Sequence, residues 1–299
     1  MIKITVIGLD TSHSVEFPRL MQSPDCPKKM SVPGMKTISC LRFETPYQNK
    51  EGLDKRQKQL EEWGVKVTED FEEAIQRCDA VMLEINDGSR HLEYFEKVAP
   101  LGKPVFLDKP LAMTLADGRA IIDLMRKHNT RVWSGSSIPF CPPLAKTMQN
   151  AGNIVRAHVF GPMGDAPSGD SLVWYGVHTF EHLQRVMGRG AKKVQAIQTD
   201  SSVNASVIFS DGREGTVELT RKAWAYGGII WAMLNEQMQA VPYVLDGSLS
   251  YRNILRMIKA FFQGGRPPVD METTFEGLAM MCAARESITR KEAVGVETL

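Results

Sequence analysis

The chain has 299 residues, 43% hydrophobic and 24% charged, a globular balance with length for two ordinary domains. Its formal net charge is +1, which argues against nucleic-acid or anionic-membrane partners. No apolar run approaches the ~18 residues of a membrane span, and the five cysteines are scattered with no C-x-x-C pair, so a reduced compartment is expected.

The N-terminus runs directly into Ile2–Ile7, a buried-strand pattern with no leader before it; a cytoplasmic protein is expected. Gly8 closes that strand, and Leu9-Asp10-Thr11-Ser12-His13-Ser14 leads into an amphipathic run, Val15–Gln22. A dinucleotide fold begins as strand, tight turn and helix, with the helix N-terminus facing a pyrophosphate. Of the usual G-x-G-x-x-G only Gly8 fits, since Asp10 and His13 hold the second and third glycine positions. A carboxylate there is unfavourable to phosphate in charge and size, while Thr11, Ser12 and the helix amides can donate to one. The competing role for Asp10, Thr11 or Ser12 is a plain helix cap.

Thr37–Phe43 is a second strand, followed by both Arg42 and Glu44 near its end. An acidic residue there grips an adenosine ribose and an Arg accommodates a 2′-phosphate, so NAD and NADP both stay open. Leu53–Trp63 is a helix, Val65–Val67 a strand, and Asp70–Gln76 a helix. Ala80–Ile85 is an apolar strand interrupted by Glu84 and opens into Asn86-Asp87-Gly88-Ser89-Arg90-His91.

After the helix Leu92–Leu101 comes Gly-Lys-Pro-Val-Phe-Leu-Asp-Lys-Pro, residues 102 to 110. Val105–Leu107 is a short buried strand that Pro110 must end. Lys109 therefore stands at the carboxyl end of a parallel strand, the edge where open α/β sheets bind ligands. A partly desolvated Lys there can exchange protons near neutral pH; the competing role is a solvated strand-end lysine. Thr114–His128 is a helix and Arg131–Ser134 a strand, and the alternation indicates a parallel sheet. Pro139–Pro143 reads as a linker, dividing the chain into residues 1–138 and 139–299.

Four features together resemble the glucose–fructose oxidoreductase / inositol dehydrogenase (Gfo/Idh/MocA) family. They are the strand–turn–helix start; Asn86…His91, similar to T-P-N-x-x-H; Gly102–Ala112, similar to G-K-H-V-x-x-E-K-P-L-A; and Gly176-Val177-His178-Thr179-Phe180-Glu181, similar to G-x-H-x-x-D. The resemblance implies an N-terminal Rossmann-type doubly wound sheet and a C-terminal α+β domain with an open, mainly antiparallel sheet. It implies an NAD(P)-dependent oxidoreductase acting on a hydroxyl of a sugar, cyclitol or related polyol, and a homo-oligomer, dimer or tetramer. Lys109 would hold the hydroxyl and shuttle its proton, with His178 the second acid/base group and Glu181 where the family often has Asp. Gly8, Asp10, Thr11, Ser12, His13, Arg42, Asn86, His91, Asp108 and Lys109 would line the cofactor. Lys109, Trp174, Tyr175, His178 and His182 would line the substrate. One departure is Trp174, which replaces the Asp of the family's D-x-x-x-H.

Ile154–Phe160 reads as the first strand of the second half, and Gly161–Gly169 as a substrate-covering loop. A helix after His178 places Phe180, Leu183 and Met187 on a core face. Lys193–Thr199, Ser202–Phe209 and Glu214–Thr220 read as strands, with Asp211-Gly212 a hairpin signal. Tyr251–Phe262 and Thr273–Arg290 read as helices. Two other functions are compatible with these residues. His178-Thr-Phe-Glu181-His182 matches the H-x-x-E-H of inverted zinc peptidases, although no third ligand is evident and no metal is expected. The altered turn and Trp174 also suit a non-catalytic member that binds a ligand or NAD.

Overall fold

The computed structural model describes all 299 residues. They form two compact units, one of Met1–Ala112, Ala116–Gly135 and Tyr251–Met271, the other of Met113–Leu115, Ser136–Ser250 and Glu272–Leu299. No helix is long and apolar enough to cross a membrane.

The first unit carries β1 (Ile2–Ile7), α1 (His13–Gln22), β2 (Met35–Leu41), α2 (Lys50–Glu62), β3 (Lys66–Thr68), α3 (Phe71–Ile75), β4 (Ala80–Leu83), α4 (His91–Val98), β5 (Val105–Leu107), α5 (Leu115–His128) and β6 (Val132–Ser134). All six strands are parallel, in the order β3-β2-β1-β4-β5-β6. That is the doubly wound order, with its switch point between β1 and β4. β4 and β5 are buried along their whole length, as continuous apolar strands covered on both faces must be. Side-chain caps start two helices. Asn49 accepts the Gly52 amide at 3.0 Å before α2, and Asp70 the Glu73 amide at 3.1 Å before α3.

The second unit carries α6 (Pro142–Asn150), β7 (Asn153–Pro162), α7 (Ser171–Met187), β8 (Ala191–Gln198), β9 (Ser202–Phe209), β10 (Glu214–Thr220), β11 (Gly227–Leu234) and β12 (Gln237–Val244). After α8 (Ser250–Phe262) come α9 (Met271–Arg290) and β13 (Val294–Gly295). Seven strands form one sheet, β12-β11-β7-β10-β9-β8-β13, antiparallel except for the β7–β10 pair. Along β9, Val203, Ala205, Val207 and Phe209 are buried while Asn204 and Ile208 are exposed. This is the alternation of a half-covered sheet. α7 lies on β7 and β10. A Cβ at Gly161 would meet Thr179 Oγ1 at 2.2 Å, so only glycine admits α7 this closely.

Several elements differ from the sequence expectation. Pro139–Pro143 is no linker: a 3₁₀ turn at Ile138–Phe140 precedes α6, whose first residues are Pro142 and Pro143. Proline suits the first helical position, where no amide partner is lost. α7 begins seven residues before His178, capped by Asp170 onto the Leu172 amide at 2.7 Å. β7 runs through Pro162, so the loop preceding α7 is shorter than Gly161–Gly169. β11 and β12 form a hairpin with no counterpart in the sequence reading. Finally, most of α8 belongs with the first unit although it follows the second in sequence. Arg131 reaches the carbonyls of Phe261 and Gly265 at 2.7 and 2.6 Å, and Lys259 that of Pro33 at 2.6 Å.

Candidate functional site

In the first unit the turn after β1 is built on Gly8, at φ +102°, where a Cβ would stand 2.4 Å from the Glu84 carbonyl. Only glycine permits that approach to the end of β4. Asp10 is buried, and its carboxylate accepts the Asn86 amide at 2.8 Å, the Asp87 amide at 3.3 Å and the Thr45 hydroxyl at 2.8 Å. Burial raises the Asp10 carboxyl above its ordinary range, against the lowering effect of those hydrogen bonds. Arg56 on α2 donates to the Leu9 carbonyl at 2.8 Å. Thr11 Oγ1 accepts the His13 amide at 3.3 Å. Ser12 stands at the N-cap of α1 and its side chain makes no capping bond.

His13, Glu84 and Asp108 form a buried group whose ligating atoms lie within 4.8 Å of one another. His13 Nδ1 is 2.8 Å from Asp108 Oδ2 and 3.8 Å from Glu84 Oε2. Burial, then the neighbouring Asp108 carboxylate, pushes the Glu84 carboxyl well above the usual range. Burial acts the same way on Asp108, but His13 and Lys109 outweigh it and hold Asp108 below the usual range. Two carboxyls this close cannot both ionise cheaply; Glu84 holds the proton and Asp108 the charge. The positive charge of Lys109 acts on both carboxyls, so the chain balances the group itself. Lys109 is 5% exposed, and its backbone amide donates to Asp108 Oδ1 at 2.8 Å. Tyr251 from α8 packs edge-on to His13, with centroids 5.0 Å apart.

Two predicted cofactor residues turn elsewhere. His91 is fully buried, with Nε2 2.8 Å from the Ile85 carbonyl and Nδ1 3.3 Å from that of Leu111. It braces the loops after β4 and β5. Arg42 pairs with Asp54 and donates to Gln57, both at 2.5 Å, which holds its guanidinium on α2. Beyond β2, Phe43 stacks on Tyr94 at 4.5 Å, and the Arg90 guanidinium lies 4.7 Å from the Phe43 ring.

In the second unit His178 is 8% exposed, on α7. Its ring packs edge-on to Tyr175 at 5.0 Å and Tyr226 at 6.1 Å. Tyr175 also meets Trp174 at 5.3 Å and Trp224 at 5.4 Å, and Trp224 is 72% exposed. Burial raises the Tyr175 phenol, against a hydrogen bond with Tyr226. Glu181 accepts the Ser136 amide at 2.7 Å. His182 is fully buried, its Nε2 2.7 Å from the Tyr243 hydroxyl. Burial pushes the imidazole down to about 3, so it is neutral. His178, Glu181 and His182 do not gather as ligands, the metal-compatible group being His13, Glu84 and Asp108. Trp224 and Tyr226 went unread in the sequence; two aromatics in a loop before Gly227-Gly228 were the available signal. Thr45 and Arg56 carried none, whereas Glu84 stood out as the one charge in an apolar strand.

A model of an oxidoreductase family with an NAD-binding Rossmann fold matches residues 47–136. That model is the Gfo/Idh/MocA family's, and it spans 90 of the 299 residues. Comparison with curated protein sequences gives no match. Among solved structures, the chain is similar over 99% of both chains to scyllo-inositol dehydrogenase from Lactobacillus casei with bound NAD(H) and scyllo-inositol, at 16% identity and TM-score 0.77. It is similar to myo-inositol 2-dehydrogenase from Lactobacillus plantarum over 99% of both chains, at 14% identity and TM-score 0.78. It is also similar to a myo-inositol dehydrogenase from Corynebacterium glutamicum over 100% of both, at 15% identity and TM-score 0.77. At these identities the likeness is one of fold.

Proposed function

We propose that this protein is a Gfo/Idh/MocA-family NAD(P)-dependent oxidoreductase acting on a secondary hydroxyl of a sugar, cyclitol or related polyol. The observation that carries this reading is Lys109, buried at the carboxyl edge of β5 in a sheet of doubly wound order, the edge at which such sheets bind ligands. The backbone of the β1–α1 turn suits a dinucleotide. Gly8 has the positive φ of a tight turn, and the Ser12 side chain does not cap α1, so the helix N-terminus can face an anion.

When bound, the nicotinamide supplies or accepts hydride at the carbinol carbon. Gly8, Thr11, Ser12 and His13 would hold the pyrophosphate, with Asn86 toward the nicotinamide. Lys109 would hold the reacting hydroxyl and exchange its proton, with Asp108 fixing its charge. In the second unit, His178, set among Trp174, Tyr175, Trp224 and Tyr226, would serve as an acid/base group. An aromatic wall with few polar groups suits a small ring with one apolar face. Glu181 and His182 would act as braces for α7, and His91 as a brace for the cofactor loop. Five free cysteines support a cytoplasmic setting. Ile197 and Ile208, exposed on the sheet of the second unit, support a homo-oligomer; a monomer mass in light scattering at micromolar concentration would remove it.

Incubating the protein with NAD⁺ or NADP⁺ and a panel of inositols and aldoses, following nicotinamide reduction, tests the proposal. Turnover is expected, and Lys109→Met should lower kcat at least ~10²-fold with NADH affinity little changed. An active Lys109→Met would take Lys109 out of the proton transfer. A non-catalytic ligand-binding role is the second reading, favoured by Asp10 in the turn and Trp174 in place of an aspartate. NADH binding without turnover on the panel would select it.

A further inference from the structure

Asp10 makes bonds that a glycine in its place could not. Its carboxylate lies across the switch point of the first sheet. It takes the amides of Asn86 and Asp87 after β4 and the hydroxyl of Thr45 after β2. One buried side chain thus ties the ends of three neighbouring strands, β2, β1 and β4, along the edge where a dinucleotide would run. At the second glycine position of such a turn, the absence of a side chain lets the backbone approach the pyrophosphate. Here a side chain of like charge fills that space and uses amides that could serve an anion. Its partners are themselves held. The Tyr47 amide donates to Thr45 Oγ1 at 3.2 Å, Ser89 Oγ donates to Asp87 Oδ1 at 2.6 Å, and Arg56 fixes the preceding Leu9 carbonyl at 2.8 Å. Beyond them the stacked pair Phe43–Tyr94 under Arg90 joins the end of β2 to α4.

We infer that Asp10 is an internal anion that latches the β1–α1 turn to the loops after β2 and β4 and sets the affinity of this unit for a dinucleotide. The inference rests on the dinucleotide reading of the fold and names the residue that limits it. For a pyrophosphate to take the turn, the Asp10 carboxylate must give up its three donors or swing away from the phosphates. Dinucleotide binding therefore carries the cost of opening the latch as well as like-charge repulsion. Removing the side chain removes both, and Asn in its place removes the charge while keeping one acceptor for the loop amides.

The test is a fluorescence titration of the full chain and of Asp10→Gly and Asp10→Asn with NADH and with NADPH, beside thermal melting of each protein with and without nucleotide. Both variants should bind at least ~10-fold more tightly than the parent. Without nucleotide they should melt lower than the parent, since Asp10→Gly leaves both loop amides without this acceptor and Asp10→Asn keeps it for only one, and saturating NADH should raise their melting temperatures more. If Asp10→Gly does not fold, Asp10→Asn decides alone. Affinities equal to or weaker than a parent that does bind would overturn the latch and leave the dinucleotide reading standing. Folded parent and variants that all fail to bind either nucleotide would overturn both.

Discussion

His182 offers the sharpest physical test in the second unit. It is fully buried on α7 with one ring nitrogen 2.7 Å from the Tyr243 hydroxyl, and burial lowers its pKa from 6.5 to about 3. In the unfolded chain it titrates normally, so below about pH 6.5 the unfolded state binds a proton that the folded state refuses until about pH 3. The unfolded state binds more protons across that window, and stability therefore falls as pH falls. Each unit is worth about 1.4 kcal/mol. From about pH 7.5 to about pH 4.5 the single histidine accounts for about 2.5 kcal/mol. Other groups titrate nearby, and Glu84 acts in the opposite sense because its folded-state pKa is raised. The comparison that isolates His182 is therefore between the parent and His182→Gln, which does not titrate and can still bond to Tyr243. Urea midpoints measured across the window should fall more steeply for the parent, by about 2.5 kcal/mol in total, whatever the constant offset between the two. Parallel curves would show that His182 is protonated in the fold, or that it reaches water, and would refute the buried neutral imidazole.

The remaining predictions concern the first unit. Gly8→Ala places a Cβ 2.4 Å from the Glu84 carbonyl at φ +102° and should cost about 2–4 kcal/mol in chemical denaturation; a loss under about 1 kcal/mol would mean that the turn relaxes freely. Glu84→Gln should change stability by less than about 1 kcal/mol, because the carboxyl it replaces is already neutral. Asp108→Asn should cost about 2 kcal/mol or more, since it removes the charge facing His13 at 2.8 Å. Equal losses for the two would contradict the assignment of proton and charge, and a larger loss for Glu84→Gln would reverse it.

The strand–helix alternation of the first unit was legible because β1, β4 and β5 are short apolar runs ended by Gly8, the Asn86 loop and Pro110. Lys109 was legible for the same reason, since proline fixes where β5 stops. The β11–β12 hairpin was not. Its two-residue turn is Asn235-Glu236, both at positive φ. A glutamate where such a turn favours glycine hides the usual signal, and β12 is exposed along most of its length, with no apolar alternation to betray it. α6 was hidden because Pro142 and Pro143 read as a break, although proline also opens helices. Most of α8 returns to the first unit through backbone acceptors at Pro33, Phe261 and Gly265, and carbonyls carry no sequence signature. Of the site, His13 and Asp108 were each read as cofactor-lining residues, but their pairing across 95 positions was invisible. Asp10 was legible as a departure from the glycine pattern; that it binds Asn86, Asp87 and Thr45 was not, because two of those donors are backbone amides. Glu181 and His182 looked like chemistry in H-x-x-E-H, whereas their partners, the Ser136 amide and Tyr243, lie 45 and 61 positions away.

The central claim is that the first unit takes a nicotinamide dinucleotide at the carboxyl edge of its sheet. Titrating the purified parent protein with NADH and with NADPH, by the fluorescence of the reduced nicotinamide, measures it directly. Saturable binding of at least one, displaced by the oxidised form, is the expected result. No binding of either by folded protein would contradict an NAD(P)-dependent function and turn the search to another ligand.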